Sequence, residues 1–210
     1  MTDLKIVRRS SADVMKALSA DAPAPRPFVL ALGDSLTDGH GLQRDTSFVA
    51  RLEQLMREHF PLASVHDAGV SGNTAGDAVR RLPSVLGSLS YRPDLAIVEL
   101  GANDLLQGVP PARTRSDLAM IIEELERCCI PVLLAALEPP PFLASFAQAY
   151  ATIYRDLAEK YGVPSHPFFP KGVLGQPQYS LADKVHPNAA GIDLAARNML
   201  PAVLRELSSF

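Results

Sequence analysis

The feature that most constrains the fold is an apolar run without any charge, residues 28–32, which lies between Pro27 and Gly33. A short run of this kind, bounded by turn-forming residues, indicates a strand that is buried on both faces. A glycine-rich turn follows and carries Ser35 almost directly after the strand. Ligands of open α/β sheets bind at the carboxyl ends of the strands, so Ser35 is a candidate functional residue.

Strand and helix patterns alternate through the rest of the chain. Further strands are predicted at 64–68, 94–100, 131–137 and 163–169. Apolar residues at helical spacing predict helices over 46–60, 74–89, 115–129, 143–161 and 188–207. The alternation predicts an α/β fold in which helices cover both faces of a parallel sheet. A short helix over 10–20 and a proline-rich linker come before the first strand, which predicts an N-terminal extension over 1–26 and one domain over 27–210.

Local signals predict where individual helices begin. Thr114 and Asp117 resemble a capping signal for the helix over 115–129. Pro187 suits the first position of the last helix, because its missing N–H would have no partner there. Pro83, inside the helical pattern of 74–89, predicts a kink or a break.

Composition limits the classes of partner and cofactor. The chain of 210 residues has a net charge of −3 and no arginine-rich run, so nucleic acid is not an expected partner. No window approaches about 18 uninterrupted apolar residues, and we expect no integral membrane segment. The N-terminus lacks the apolar core of a signal peptide, which predicts a cytoplasmic protein as written, or a periplasmic or secreted one if a leader was removed. The two cysteines, Cys128 and Cys129, are adjacent and no spaced Cys/His cluster is present, so neither a metal nor a cofactor is expected.

A second candidate group lies near the C-terminus, where Asp183 precedes His186 by three residues. In a turn or a helix start, this spacing lets the carboxylate reach the imidazole. The carboxylate then orients the ring through Nδ1 and stabilises the imidazolium that forms when Nε2 takes a proton. A serine hydroxyl is a weak nucleophile that needs such a base. Ser35, His186 and Asp183 are therefore a candidate nucleophile, base and orienting acid.

Acyl transfer also needs hydrogen-bond donors for the oxyanion of its tetrahedral intermediate. The backbone N–H groups of Ser35 and Gly72 and the side-chain amide of Asn103 are candidates. Each residue also has a structural interpretation: Ser35 as a helix cap, Asn103 as a turn residue, and Asp183 with His186 as a surface ion pair or half of a metal site. Surface, packing, turn or capping roles are expected for His40, His59, His66, His166, Asp34, Asp38 and Asp104.

The four sequence blocks of the GDSL or SGNH hydrolases resemble segments of this chain in the same order: the run 33–36 (Gly-Asp-Ser-Leu), Gly72, Asn103 and His186. The runs 67–74 and 98–104 are most similar to the bacterial branch that contains the lysophospholipase/thioesterase and the small arylesterases. The resemblance covers most of the chain. It implies a flavodoxin-like three-layer α/β/α sandwich with five parallel strands in the order 2-1-3-4-5.

The resemblance also implies roles for individual residues. Ser35 would be the nucleophile, His186 the base and Asp183 its orienter, while Gly72 and Asn103 would complete the oxyanion hole. The implied activity is that of a serine esterase that works through an acyl-enzyme intermediate without a cofactor. Its expected partner is a small-molecule ester.

The sequence leaves several classes of substrate open. The resemblance implies aryl or short- to medium-chain acyl esters, and the same site can attack thioesters and lysophospholipids. A carbohydrate O-acetyl esterase is the alternative within enzymes. A flavodoxin-like non-catalytic binding module is the alternative of another class, although the chain has neither G-x-G-x-x-G nor a P-loop lysine. Substrate contacts are predicted at Leu36, Asn73, Leu105, Leu106, Glu138, Pro139 and Val185.

Overall fold

The fold is a single parallel sheet between two layers of helices. The computed structural model describes residues 26–137, 149–150 and 152–208. Its strands run in the order β2-β1-β3-β4-β5, and each neighbouring pair is parallel. The strands are β1 (Phe28–Gly33), β2 (Ser64–Gly69), β3 (Leu95–Glu99), β4 (Val132–Ala136) and β5 (Ser165–Pro167). This arrangement confirms the predicted fold class and strand order.

Seven α-helices occur in the part of the chain that the structure describes. They are α1 (Ser35–Asp38), α2 (Phe48–Arg57), α3 (Ala75–Ser88), α4 (Ala102–Leu106), α5 (Pro111–Arg127), α6 (Ile153–Tyr161) and α7 (Ala189–Leu207). None of these helices has the length and hydropathy needed to cross a bilayer.

Two apolar cores lie on opposite faces of the sheet. In β1, Leu30 and Leu32 belong to the core that includes α3, α5 and α6, while Val29 and Ala31 belong to the core that includes α2 and α7. All four side chains are at most 1% exposed. Burial of a valine or leucine side chain stabilises a fold by roughly 1.5–3 kcal/mol. The charge-free run is therefore apolar because both of its faces are interior.

Three details of the helices differ from the sequence-based predictions. Helix α5 begins at Pro111 and not at residue 115, and Thr114 does not cap it, because the Thr114 hydroxyl donates to Asp104 Oδ1 at 2.9 Å. Helix α7 begins one residue after its cap, Asn188, so Pro187 lies before the helix. Helix α3 continues through Pro83, so the predicted break is wrong, whereas a kink there remains a prediction. The short helices α1 and α4 were not predicted.

Some predictions fall outside the described residues. These are the helix over 10–20, most of the linker, the substrate contacts Glu138 and Pro139, and the first part of the helix predicted over 143–161. The division into an extension over 1–26 and a domain over 27–210 remains a prediction.

The sheet brings three chain segments together at one edge. Gly33 pairs in register with Gly69 on one side and with Glu99 on the other. The strands are parallel, so the residues that follow β1, β2 and β3 all emerge at the same edge. These residues include Ser35, Gly72 and Asn103.

Candidate active site

Ser35 is the first residue of the short helix α1, directly after the turn that ends β1. The helix is capped by Asp34, whose Oδ1 accepts the Leu36 N–H at 3.0 Å. It ends at Gly39, which adopts a left-handed conformation with φ of 79°. The turn is closely packed, because a Cβ on Gly33 would overlap the Thr37 side chain. Asp34 therefore has the capping role predicted for it, and Ser35 is held on a rigid turn.

A continuous hydrogen-bonded chain joins Ser35 to His186 and Asp183. His186 Nε2 lies 3.1 Å from Ser35 Oγ, and His186 Nδ1 lies 2.7 Å from Asp183 Oδ2. Asp183 Oδ1 also accepts the backbone N–H groups of Val185 and His186, at 2.9 and 3.0 Å. The hydrogen bond from His186, helped by these two, lowers the pKa of Asp183 to about 2. The carboxylate is therefore charged at neutral pH and orients the ring, as the spacing of the two residues predicted.

The three candidate oxyanion donors differ in what they contact. In the described part of the chain, no acceptor binds the N–H of Ser35 or that of Gly72. Gly72 is exposed and has φ of 83°. Asn103 Nδ2, in contrast, donates to Asp34 Oδ2 and to the Asn73 carbonyl, each at 3.0 Å. Both amide hydrogens of Asn103 are thus engaged, so donation to an oxyanion requires one of these acceptors to share.

Two buried acids, Asp34 in the turn that carries Ser35 and Glu99 beside it, lie close together. Glu99, at the end of β3, accepts the Thr37 hydroxyl at 2.9 Å and the Asp34 N–H at 3.4 Å through Oε2. Its Oε1 has no hydrogen-bond partner among the described residues. Burial, together with the nearby charge of Asp34, raises the pKa of Glu99 well above its usual value. Burial likewise raises the pKa of Asp34 to about 6.

Arg81, on α3, connects two of the site's segments. Its Nη2 donates to the Gly33 carbonyl at 2.8 Å, and its Nε donates to Asn73 Oδ1 at 2.7 Å. Neither Arg81 nor Glu99 was predicted from the sequence. Glu99 gave a usable signal, since it is a charge inside an apolar strand, where an acid is rarely buried without a partner. Arg81 gave none, because a cation on an amphipathic helix usually faces solvent.

The predicted substrate contacts occupy different environments. Leu36 is 7% exposed and packs in the core with α2 and α7. Leu105 is half-buried, whereas Leu106 and Val185 are 58% and 54% exposed. Contact of these residues, or of Asn73, with substrate remains a prediction. Glu138 and Pro139 lie outside the described residues.

Comparison with known proteins identifies the class. The family model described as the GDSL-like lipase/acylhydrolase family matches residues 31–194. An arylesterase of Vibrio mimicus is 32% identical over 87% of this chain and 90% of its own. The thioesterase 1/protease 1/lysophospholipase L1 of Escherichia coli K12 is 32% identical over 76% of this chain and 75% of its own.

A solved structure gives the same result. The crystal structure of AlinE4, an SGNH-hydrolase family esterase, is 41% identical over 89% of this chain and 98% of its own, with a TM-score of 0.71. Together these matches define the chain as a carboxylic ester hydrolase. It belongs to the GDSL-like lipase/acylhydrolase family. The resemblance seen in the sequence is confirmed, and the alternative of a non-catalytic binding module is set aside.

Proposed function

We propose that this esterase works through an acyl-enzyme formed on Ser35. The observation that carries the proposal is the continuous chain of hydrogen bonds from Ser35 Oγ through His186 to Asp183, at 3.1 and 2.7 Å. The orientation that a triad requires is supported by the two backbone N–H groups that fix Asp183.

The reaction has two symmetrical halves. Ser35 Oγ attacks the carbonyl carbon of the ester while its proton moves to His186 Nε2. His186 returns that proton to the leaving alcohol as the carbon–oxygen bond breaks, which leaves an ester on Ser35. Water then attacks this acyl-enzyme, again giving its proton to His186. The acid is released, and the Ser35 hydroxyl is restored.

The oxyanion of each intermediate is assigned to the N–H groups of Ser35 and Gly72 and to the Asn103 amide. Support for the first two is that neither N–H has a partner in the described structure. Ser35 also lies at the start of a helix, where the first N–H groups make no bond within the helix. Asn103 contributes by weakening its hydrogen bond to Asp34 or to the Asn73 carbonyl.

The substrates proposed are small carboxylic esters with aryl or short- to medium-chain acyl groups. Among the described residues, five large apolar side chains are exposed, and three of them belong to segments that carry the site: Val70, Leu106 and Val185. Val70 adjoins the nucleophile turn, since its N–H donates to the Gly33 carbonyl at 3.2 Å. Exposed apolar side chains around a polar centre suit the acyl or aryl group of an ester.

Hydrolysis of p-nitrophenyl esters from acetate to dodecanoate tests the proposal. We expect Ser35→Ala to lower kcat by a factor on the order of 10⁴ to 10⁶, because it removes the nucleophile. Ser88→Ala is the matched control, since Ser88 is exposed on α3 and donates only to the Val85 carbonyl. Far-UV circular dichroism establishes that both variants fold.

The same panel distinguishes the substrate classes. An optimum at intermediate chain length supports the proposal. A preference confined to acetate, with deacetylation of acetylated sugars, would favour the carbohydrate esterase. Undiminished hydrolysis by a folded Ser35→Ala variant would refute the acyl-enzyme on Ser35.

A further inference from the structure

A third side chain lies against the pair formed by His186 and Asp183. The imidazole of His40 lies 4.4 Å from that of His186, centroid to centroid, with the ring planes tilted by 39°. One ligand atom from each of His40, Asp183 and His186 lies within 4.8 Å of the others. Half of a metal site was one of the structural alternatives for Asp183 and His186 in the sequence, although no metal was expected. The fold adds a third potential ligand from a residue more than 140 positions away.

All three side chains are held by well-defined turns. The His40 N–H donates to the Ser35 carbonyl at 3.0 Å, so the nucleophile turn itself positions His40. The loop around His186 is closed by the Leu181 N–H, which donates to the His186 carbonyl at 2.8 Å. The two turns approach closely, because a Cβ on Gly41 would lie 2.7 Å from Leu181 Cδ1.

We propose that His40, Asp183 and His186 form a binding site for a borderline transition-metal dication such as Zn²⁺, and that its occupation stops ester hydrolysis. Two imidazoles and one carboxylate are a ligand set that suits zinc, with a fourth position left for water. Ligand atoms around tetrahedral zinc lie about 3.4 Å apart, so small side-chain rotations close the site. Solvent reaches it directly, since His40 and Asp183 are exposed and His186 is partly so.

The loss of ester hydrolysis follows from the atoms to which the metal would bind. A metal on His186 Nε2 displaces the Ser35 hydroxyl from that nitrogen. A metal on Nδ1 takes the place of the proton between Nδ1 and Asp183, so the ring proton moves to Nε2. In either case the lone pair of Nε2 is no longer available to accept the proton of Ser35. This part of the inference rests on the proposed function, in which His186 is the base, whereas binding of the metal does not.

Isothermal titration of the tag-free full chain with Zn²⁺ tests the site without reference to activity. We expect one ion per chain and at least about tenfold weaker binding by His40→Gln, since loss of even an outer-shell partner of a metal ligand costs that much. His59→Gln is the matched control, because His59 is also exposed but lies at the end of α2. Asp183→Asn is a second variant that should weaken binding. Zn²⁺ affinity equal in the wild type and in His40→Gln, or no binding at all, would overturn the site.

Ester hydrolysis measured with the same Zn²⁺ series tests the consequence. Each protein is compared with its own rate in the absence of metal. We expect the wild type to lose activity at the concentrations that saturate the site and to regain it with a chelator, while His40→Gln needs at least about tenfold more Zn²⁺. Binding that depends on His40 but leaves hydrolysis unchanged would retain the site and contradict the role of His186 as the base.

Discussion

Replacing Glu99 by glutamine should make the protein increasingly more stable than the wild type as the pH rises. Glu99 is fully buried and accepts two hydrogen bonds through Oε2, while Oε1 has no partner in the described structure. Glutamine has nearly the same shape as the protonated acid and retains an oxygen for the Thr37 hydroxyl. The substitution therefore removes a titrating group and leaves the packing almost unchanged.

The change of this stability difference with pH follows from the raised pKa of Glu99. Burial raises the pKa of Glu99 above its usual value of 4.5, so the folded protein retains a proton that the unfolded chain releases. The free energy of unfolding of the wild type then falls by about 1.4 kcal/mol per pH unit. The fall extends from the pKa of Glu99 in the unfolded chain to its pKa in the folded protein. Burial also raises the pKa of Asp34 to about 6, so its ionisation lowers the stability of both proteins as the pH rises towards that value. The contribution of Glu99 is absent in the variant.

Urea unfolding between about pH 5 and pH 8 measures the difference, followed by far-UV circular dichroism because the chain has no tryptophan. The free energy of unfolding of Glu99→Gln minus that of the wild type should grow by about 1.4 kcal/mol per unit until Glu99 ionises in the folded protein. Glu126→Gln, at an exposed position of α5, should show no such growth. A difference that stays flat across this range would refute the assignment of Glu99 as a buried, proton-retaining acid.

Three further substitutions test the site. Asp183→Asn should lower kcat by a factor on the order of 10⁴ with little change in KM, because an amide does not hold the imidazole in the tautomer that accepts a proton at Nε2. A loss below tenfold in the hydrolysis of p-nitrophenyl esters would contradict this role of Asp183. Arg81→Met should lower kcat by roughly 10- to 100-fold at nearly constant KM, because it releases the segments that contain Gly33 and Asn73. Arg81→Lys should restore part of this loss. A variant that changes only the midpoint of urea unfolding would show that Arg81 has a structural role only. Gly72→Ala should cost about 1 to 2 kcal/mol through backbone strain. Gly87→Ala is the matched control, because Gly87 lies in helix α3 and a Cβ there would also meet open space. It should raise the free energy of unfolding by about 1 kcal/mol. Equal changes at the two glycines in urea unfolding would rule out backbone strain at Gly72.

The sequence predicted the sheet better than the helix boundaries. Strands β1, β3 and β4 are mainly apolar runs bounded by glycine or proline. A strand that is buried on both faces needs apolar residues at most positions, so these runs were recognisable in the sequence. Helices α1 and α4 are four and five residues long, too short to show helical periodicity. The start of α5 was missed because Thr114 resembles a cap, whereas a buried contact with Asp104 determines its role.

The candidate site was predictable where chemistry depends on local spacing. Asp183 reaches His186 across three residues, and the structure shows that contact. The approach of His186 to Ser35 spans 151 residues and depends on the packing of α7 against the sheet, which no local pattern encodes. Arg81 was missed for the same reason, because its contacts with Gly33 and Asn73 exist only in the folded chain. Glu99 was also missed, although its charge inside an apolar strand was a usable signal.

Labelling with a p-nitrophenyl alkylphosphonate shows whether Ser35 forms a covalent intermediate. Attack by an activated serine on phosphorus expels p-nitrophenol and leaves a stable phosphonyl ester on that serine. Intact mass and peptide mapping should show one adduct per chain, on the peptide that contains Ser35, with activity lost in proportion. Ser35→Ala should remain unlabelled. An adduct on another residue that accompanies the loss of activity, or inactivation without any adduct, would contradict the account.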